Sequence, residues 1–376
     1  MPVPLLDLTR ENGPLEAEIQ KSIQPVITSS QFILGKTLQD FEAQCLQYFE
    51  LENSGYCVGV SSGTDAQLLA LMLLDLPQGS NVVVPPFTFF STAGVVDRLG
   101  LKVSFADIEE DTFNMDPVAL ERAINKETSA VMPVHLFGQC ADMNSILAIT
   151  GERHLPVIED TCQSMGARYH GKLAGTIGDF ASISYFPTKN LGAFGDAGML
   201  LGTREDLHEK AFRMRVHGML NRYEHLEVGG NFRMDALQAA VLQVKLPLLN
   251  GWHEGRRKNA KLYRELFAEL GIDEEIILPV EKPHSYHIYN QFIIRVKNGK
   301  RDALKTHLDE KKIGNMIYYP SCLHLQPCFE KLGYQKGDFP VSEKATEEVL
   351  ALPIHYAITE AEIREVVSEI KNFYNI

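Results

Sequence analysis

The chain has 376 residues, of which 45% are hydrophobic and 23% charged, and its formal net charge is -13. This length predicts two domains, because a single hydrophobic core stops growing at about 250–300 residues. The acidic balance argues against nucleic acid as a partner. No apolar run approaches the roughly 20 residues of a membrane span, and the first residues lack the pattern of a signal peptide. We therefore expect a cytoplasmic protein that makes no membrane contact.

The six cysteines are scattered through the chain without the spacing of metal ligands. Most of them lie in apolar surroundings, which is typical of reduced cysteines that pack in a core. We expect neither a metal site nor a framework of disulfides.

Short apolar runs alternate with helical patterns through the first half of the chain. The runs predicted to be strands are 56–60, 81–85, 102–107, 129–135, 156–160, 180–185 and 198–202. Most are apolar throughout rather than alternating, which is typical of strands buried on both faces of a parallel sheet. Helical patterns occupy 64–76, 116–126 and 142–154 between them. This βαβ succession predicts an α/β fold with a mostly parallel central sheet that binds ligands at the carboxyl ends of its strands.

The pattern changes after a long helical region from Met234 to Gly271 that is interrupted near Pro247. The elements predicted beyond it are a strand at 287–296, a helix at 300–313, a strand at 315–319 and helices at 343–352 and 359–375. The sequence therefore predicts a large α/β domain over 1–250 and a small C-terminal α+β domain over 251–376.

Polar residues follow several of the predicted strands. Asp160 closes one strand, Lys189 follows another, and Gly63 and Thr64 stand between a strand and a helix. A strand, a small polar turn and a helix N-terminus form a natural anion cradle, because free backbone N–H groups and the helix dipole face the turn. An acid, a lysine and an anion cradle are thus predicted at one edge of the sheet.

These three parts are the ones that pyridoxal phosphate requires: a lysine for a Schiff base, a carboxylate for the pyridine nitrogen and donors for the phosphate. Each part alone has an ordinary structural explanation. The turn is also typical of a simple N-cap, a buried Asp160 is often a cap or half of an ion pair, and Lys189 could extend its ammonium to solvent. The conjunction of all three in this chain order favours the cofactor.

Two segments carry a resemblance to a known family: VIEDTCQSMGA (157–167) and SISYFPTKNLGAFGDAGML (182–200). They resemble the DegT/DnrJ/EryC1/StrS family of sugar aminotransferases, which is similar in fold to aspartate aminotransferase, fold type I of the pyridoxal-phosphate-dependent transferases. Further segments that fit its pattern are 30–42, 59–71, 83–92, 132–143, 229–246, 318–329 and 350–355. The resemblance covers the chain from about residue 3 to the C-terminus.

The resemblance implies a role for individual residues around the cofactor. Lys189 matches the lysine that binds the cofactor covalently and moves the proton, and Asp160 matches the acid paired with the pyridine nitrogen. Gln163 matches the glutamine near the phenolic oxygen, and Phe89 the aromatic that stacks on the ring. The residues that match phosphate contacts are Gly63, Thr64, Ser184 and, from the neighbouring subunit of a homodimer with composite active sites, Asn231.

The resemblance also implies a reaction. Family enzymes take an amino group from an amino acid, usually L-glutamate, leaving pyridoxamine phosphate and 2-oxoglutarate, and deliver it to a keto group of a nucleotide-activated hexose for amino-sugar or surface polysaccharide biosynthesis. The segment NFRMDALQAAVLQVKL (231–246) is more similar to members that aminate C3 than to those that aminate C4. Residues at positions where family members contact the sugar nucleotide are Arg233, Tyr318, Tyr319 and His324.

Three other functions have to be weighed on the same resemblance. A sugar dehydratase of this fold has histidine in place of the lysine, so Lys189 argues against it. A non-catalytic regulatory protein predicts degraded cofactor positions, whereas Lys189, Asp160, Ser184 and Asn231 are all present. An amino-acid aminotransferase would need a dedicated arginine for the distal carboxylate of its substrate, and the segment PTKNLGAFGD (187–196) is not typical of one.

Overall fold

The computed structural model describes residues 2–272 and 274–375. Its strands are β1 Tyr56–Val60, β2 Asn81–Val84, β3 Lys102–Phe105, β4 Thr128–Val131, β5 Ile158–Asp160, β6 Arg168–Tyr169, β7 Lys172–Leu173, β8 Phe180–Ser184, β9 Gly198–Gly202, β10 Met219–Asn221, β11 Glu224–His225, β12 Ile276–Ile277, β13 Ser285–Tyr286, β14 Phe292–Val296 and β15 Val349–Leu352.

The α-helices are α1 Leu8–Asn12, α2 Glu16–Ser29, α3 Lys36–Tyr48, α4 Gly63–Leu74, α5 Ser91–Arg98, α6 Pro117–Ala123, α7 Met143–Gly151, α8 His208–Met214, α9 Ala236–Lys245, α10 Leu249–Leu270, α11 Arg301–Glu310, α12 Pro340–Glu348 and α13 Glu360–Tyr374. Short 3₁₀ turns connect several of them, including one at Leu246–Leu248 that separates α9 from α10 near the predicted interruption. Among the described residues, no helix combines the length and apolarity needed to cross a membrane.

The central sheet has the strand order β3-β2-β4-β5-β8-β9-β1. Backbone hydrogen bonds from His135 N to Asp160 O (3.0 Å) and from Asp160 N to Pro133 O (2.9 Å) join its two halves beyond the end of β4. Only β9 runs against its neighbours, since it is antiparallel to both β8 and β1. The prediction of an α/β fold with a mostly parallel central sheet is confirmed.

Helix α4 starts immediately beyond the carboxyl end of β1. Its N-cap is Ser62, whose Oγ accepts a hydrogen bond from the backbone N–H of Asp65 at 3.0 Å. Its buried leucines pack in one core with side chains of β1 and β9, such as Val58 and Leu200. Burial of this apolar helix against the sheet fixes its N-terminus at the edge where β5 and β8 also end.

A second sheet, β12-β14-β15, carries a hydrophobic core of its own with α10, α11 and α13. That core draws its residues from Ala260 onward and also includes Val3 from the N-terminal segment. Val3 reaches it through a bridge to Ile313. The predicted domain boundary at residue 250 falls in the first turn of α10.

In the C-terminal region the strand predicted at 287–296 begins only at Phe292, and two further elements differ from prediction. The strand predicted at 315–319 is absent, and only Met316 forms an isolated bridge, to Ala351. The helix predicted over 343–352 ends at Glu348, and the apolar residues Val349–Leu352 form strand β15, which pairs antiparallel with β14. A run of four apolar residues is compatible with both a helix and a strand, and here pairing with β14 makes it a strand.

Candidate active site

A cavity of about 710 Å³ opens at the carboxyl ends of β1, β5 and β8. Its walls come from both halves of the chain, including the Tyr318–Ser321 segment. The predicted site residues that line it are Gly63, Thr64, Phe89, Asp160, Gln163, Ser184, Lys189, Tyr318 and Tyr319. The fold therefore brings most of the predicted site residues into one cavity.

The anion cradle predicted at Gly63 is closely packed. A Cβ on Gly63 would lie 2.7 Å from Cys162 Sγ and 2.8 Å from the Cβ of Ser184. A Cβ on Gly198 would lie 2.3 Å from the backbone carbon of Ser62. Because these glycines carry no side chain, the N-terminus of α4 approaches the ends of β8 and β9 closely. The first two residues of α4, Gly63 and Thr64, line the cavity together with Ser184, and a helix N-terminus in such a position is suited to a phosphate.

Asp160 presents a buried carboxylate to the cavity wall, with only 4% of its surface exposed. Its Oδ2 accepts hydrogen bonds from Gln67 Nε2 (2.7 Å) and Thr92 Oγ1 (2.9 Å), and its Oδ1 accepts one from the backbone N–H of Cys162 (3.2 Å). The sequence analysis did not single out Gln67 or Thr92. The signal in the sequence that could have indicated Gln67 is that it is a polar residue inside the apolar run of α4.

Lys189 lies in a turn directly after β8, where its backbone N–H donates to the carbonyl of Phe186 at 2.8 Å. Burial lowers the pKa of its amine below the usual value, although nearby Cys162 and Asp160 oppose that shift. A lysine with a lowered pKa has more of the neutral amine at ordinary pH, and the neutral amine is the form that acts as nucleophile and base.

The loop that follows Lys189 is held from outside the cavity. Gly192 packs so tightly that a Cβ there would lie 2.2 Å from the carbonyl oxygen of Pro187. The buried ammonium of Lys245, at the end of α9, donates to the carbonyl oxygen of Gly192. These contacts fix the turn that presents Lys189.

Gln163 connects the cofactor side of the cavity with the C-terminal region. Its Oε1 accepts from the backbone N–H of Phe137 (3.0 Å), and its Nε2 donates to the hydroxyl oxygen of Tyr319 (2.9 Å). Burial raises the pKa of Tyr319, which keeps its phenol neutral. Tyr319 thus lies within one hydrogen bond of a predicted cofactor contact.

The two predicted residues from the 231–233 segment lie outside this cavity lining. Asn231 is exposed and follows the β10–β11 hairpin, an arm whose own residues are all exposed. Arg233 is half-buried. Two arginines near this arm already have acidic partners, since Arg213 pairs with Glu227 and Arg215 pairs with Glu42.

His324 does not occupy the position predicted for it. It is 1% exposed, its Nε2 lies 3.1 Å from Glu343 Oε1, and its ring packs edge-on against Phe339. Its neighbours Leu323 and Gln326 line the cavity instead. His324 is thus absent from the lining of the cavity in this structure, because the 3₁₀ turn at Leu323–Leu325 directs the imidazole into the core.

The residues present fit pyridoxal phosphate. The carboxylate of Asp160, the amine of Lys189 and the glycine-lined helix N-terminus at Gly63 face one cavity, which has room for a ring and a phosphate. Around the cavity, Gln163 and Ser184 add polar groups of the kind the cofactor's oxygens bind. A lysine, an acid and an anion cradle converging in an α/β fold define the class of pyridoxal-phosphate enzymes.

Comparison with known proteins places the chain more narrowly. The sequence profile of the DegT/DnrJ/EryC1/StrS aminotransferase family matches residues 14–371, so the chain belongs to that family. Its members depend on pyridoxal phosphate, and the protein is accordingly a transaminase with that cofactor. The family resemblance, the cofactor and the enzyme class predicted from the sequence are confirmed.

Similar proteins cover nearly the whole length. The chain is 43% identical to a pleiotropic regulatory protein of Geobacillus stearothermophilus, over 100% of this chain and 99% of that one. It is 36% identical to a UDP-N-acetyl-3-dehydro-alpha-D-glucosamine 3-aminotransferase of Acidithiobacillus ferrooxidans, over 98% and 97% of the two chains. The crystal structure of DesV from S. venezuelae in complex with a ketimine intermediate matches with a TM-score of 0.94 and 34% identity, over 100% and 99%. The fold is that of type I pyridoxal-phosphate-dependent transferases.

Proposed function

We propose that this protein transfers the amino group of L-glutamate to the C3 keto group of a nucleotide-activated hexose, in amino-sugar or surface polysaccharide biosynthesis. The observation that carries the proposal is the convergence of Lys189, Asp160 and the Gly63 cradle in one cavity. The C3 position is supported by the segment 231–246 and by the relative whose name specifies a 3-aminotransferase. The six free cysteines are compatible with work in the cytoplasm.

In this proposal the phosphate binds at Gly63, Thr64 and Ser184, and the ring nitrogen at Asp160. Bound pyridoxal phosphate supplies a carbonyl that accepts the amino group and a conjugated ring that stabilises negative charge at the reacting carbon.

The chain's own residues supply the proton transfer and the surroundings. Nζ of Lys189, when neutral, takes the proton from the α-carbon of the amino donor and releases it again within the same cavity. The negative charge of Asp160 is held by three hydrogen bonds and needs no rearrangement during the reaction. Phe89, which is 56% exposed at the cavity edge, would cover the ring and exclude water.

A regulatory function is the second candidate, because the relative at 43% identity is named a pleiotropic regulatory protein. The cavity argues for catalysis in this chain. Burial lowers the pKa of the Lys189 amine, and a lysine with a perturbed pKa in a cavity is typical of a catalytic group. A measurement of catalytic turnover by the purified protein distinguishes the two functions.

The amino acceptor can be tested directly. We expect L-glutamate to convert the bound cofactor to its pyridoxamine form, and a nucleotide-linked 3-ketohexose to restore the original absorbance within seconds. UDP- and dTDP-linked sugars should be compared, with the matching 4-ketohexoses as controls. Restoration by the 4-ketohexose alone would contradict the C3 assignment, and no response to L-glutamate would contradict the proposed donor.

We also propose a homodimer in which each active site is composite. Lys189 is the only cation in the lining of the cavity within the described residues, although a sugar nucleotide carries a pyrophosphate. Three large apolar side chains that line the cavity are exposed, namely Phe89, Phe90 and Phe186. The β10–β11 arm exposes Tyr223 by more than four-fifths, and Val228, which lies between the arm and Asn231, is exposed to the same degree. Exposed apolar surface of this kind is typical of a subunit interface.

The composite site predicts complementation between two inactive variants. Asn231→Asp would place a negative charge against the phosphate of the neighbouring subunit's cofactor, so we expect severely weakened cofactor binding. In a heterodimer of Asn231→Asp with Lys189→Ala, one site carries both lesions and the other carries none. Activity should therefore reappear on mixing, up to about one active site per heterodimer. If subunit exchange is verified by mass spectrometry and activity stays absent, Asn231 serves its own subunit and the composite site is wrong.

A further inference from the structure

Gln67 is a buried polar residue in an otherwise apolar part of helix α4. Its side chain is 0% exposed, and the residues around it in sequence, Ala66, Leu68, Leu69 and Ala70, all belong to the hydrophobic core. Its Oε1 has no hydrogen-bond partner among the described residues. A buried acceptor without a partner destabilises a fold, so packing alone does not explain a glutamine here.

Among the described residues, the one hydrogen-bond partner of the Gln67 side chain is Asp160. Nε2 of Gln67 lies 2.7 Å from Asp160 Oδ2, and Thr92 Oγ1, on helix α5, lies 2.9 Å from the same oxygen. The opposite orientation of the amide would bring two oxygens together at 2.7 Å, so the contact itself fixes Nε2 as the donor. Two elements thus hold the same carboxylate oxygen from outside the cavity.

We propose that Gln67 and Thr92 are positioning residues that anchor Oδ2 of Asp160 and leave Oδ1 directed at the ring nitrogen of the cofactor. The inference rests on the proposed role of Asp160 at that nitrogen. Oδ1 has one donor, the backbone N–H of Cys162 at 3.2 Å, and so keeps acceptor capacity for the ring. Supporting residues of this kind orient the group that does the chemistry, as the outer shell of a metal site does.

Removing either donor has two opposed effects on Asp160. The carboxylate becomes a stronger acceptor for its remaining partners, but the buried Oδ2 is left short of a donor. We expect the second effect to dominate, because the carboxylate regains a partner for Oδ2 by rotating toward Cys162 or the cavity. The contact between Oδ1 and the ring nitrogen is then lost part of the time.

The test compares two probes on the cofactor-free protein: pyridoxamine 5'-phosphate and its 1-deaza analogue, in which CH replaces the ring nitrogen. Wild type should bind the first more tightly by about tenfold to a hundredfold, the range for a hydrogen bond to a charged group. The ratio of interest is the dissociation constant of the 1-deaza analogue divided by that of pyridoxamine 5'-phosphate. In Gln67→Leu and in Thr92→Val this ratio should fall about fivefold. Thr92→Ser keeps the hydroxyl and should restore the wild-type ratio.

A matched control distinguishes positioning from loss of stability. Thr150→Val removes a hydroxyl that is equally buried but bonds only to helix carbonyls in α7. It should leave the ratio unchanged, even if its melting temperature falls. Gln67→Leu removes the unpaired Oε1 but also removes one donor to Oδ2 of Asp160, and these two effects on stability oppose each other, so the ratio rather than the melting temperature tests its role. Should Gln67→Leu fail to fold, the Thr92→Val and Thr92→Ser pair decides alone.

The Asp160→Asn variant separates failure of this inference from failure of the proposed function. One outcome is that the ratio falls in Asp160→Asn but stays the same or rises in Gln67→Leu and Thr92→Val. In that case the positioning role of Gln67 and Thr92 is wrong, and the role of Asp160 stands. If Asp160→Asn itself leaves the ratio unchanged, Asp160 does not bind the ring nitrogen and both proposals are overturned.

Discussion

Replacing Lys189 by alanine is expected to reduce transfer from L-glutamate by at least about a thousandfold, because in the proposed function one amine both binds the cofactor covalently and moves the proton. The variant should fold and still bind cofactor, since the cradle at Gly63 and the carboxylate of Asp160 are untouched. Borohydride treatment followed by peptide mass spectrometry should place the cofactor on Lys189 in wild type and on no residue in the variant.

Lys189→Arg and Lys172→Ala are the matched controls for that experiment. Arginine keeps the positive charge but cannot supply a neutral amine, so Lys189→Arg should be as inactive as the alanine variant. Lys172 is an exposed lysine in strand β7, and its loss should leave turnover unchanged. A Lys189→Ala protein that converts L-glutamate to 2-oxoglutarate at nearly the wild-type rate would show that the catalytic lysine has been assigned wrongly.

Asp160→Asn should lower kcat by roughly a thousandfold, equivalent to several kcal/mol in the barrier, while the protein stays folded. The substitution keeps the shape of the side chain and removes the negative charge that, in the proposed function, pairs with the ring nitrogen. It also introduces an amide beside Gln67 and Thr92, and two donors facing each other are unfavourable.

Single-turnover kinetics with L-glutamate would measure the chemical step apart from cofactor binding. Asp160→Glu is the useful comparison, because it keeps the charge and displaces it by one methylene. We expect it to retain more activity than Asp160→Asn. Equal kcat in Asp160→Asn and wild type would refute the electrostatic role of this carboxylate.

The sequence by itself determined the βαβ order of the large domain. Apolar runs bounded by turns specified the seven strands of the central sheet to within a few residues, because strands buried on both faces tolerate little else. The two-residue strands β6 and β7 were not predicted. It also predicted that Lys189, Asp160 and Gly63 would share one edge, since residues that follow parallel strands converge there. These inferences needed only local pattern and the rules of sheet topology.

The tertiary structure alone decided the elements whose local pattern is ambiguous. The apolar run Val349–Leu352 became a strand because β14 offers an unpaired edge, and His324 turned into the core because Glu343 and Phe339 receive it there. Gln67 and Thr92 are 93 and 68 residues from Asp160 in sequence, yet they bind one of its oxygens. Contacts between residues so far apart depend on how helices α4 and α5 pack on the sheet. The hydrophobic periodicity of a helix predicts which of its faces is buried, but not which side chains of other elements that face contacts.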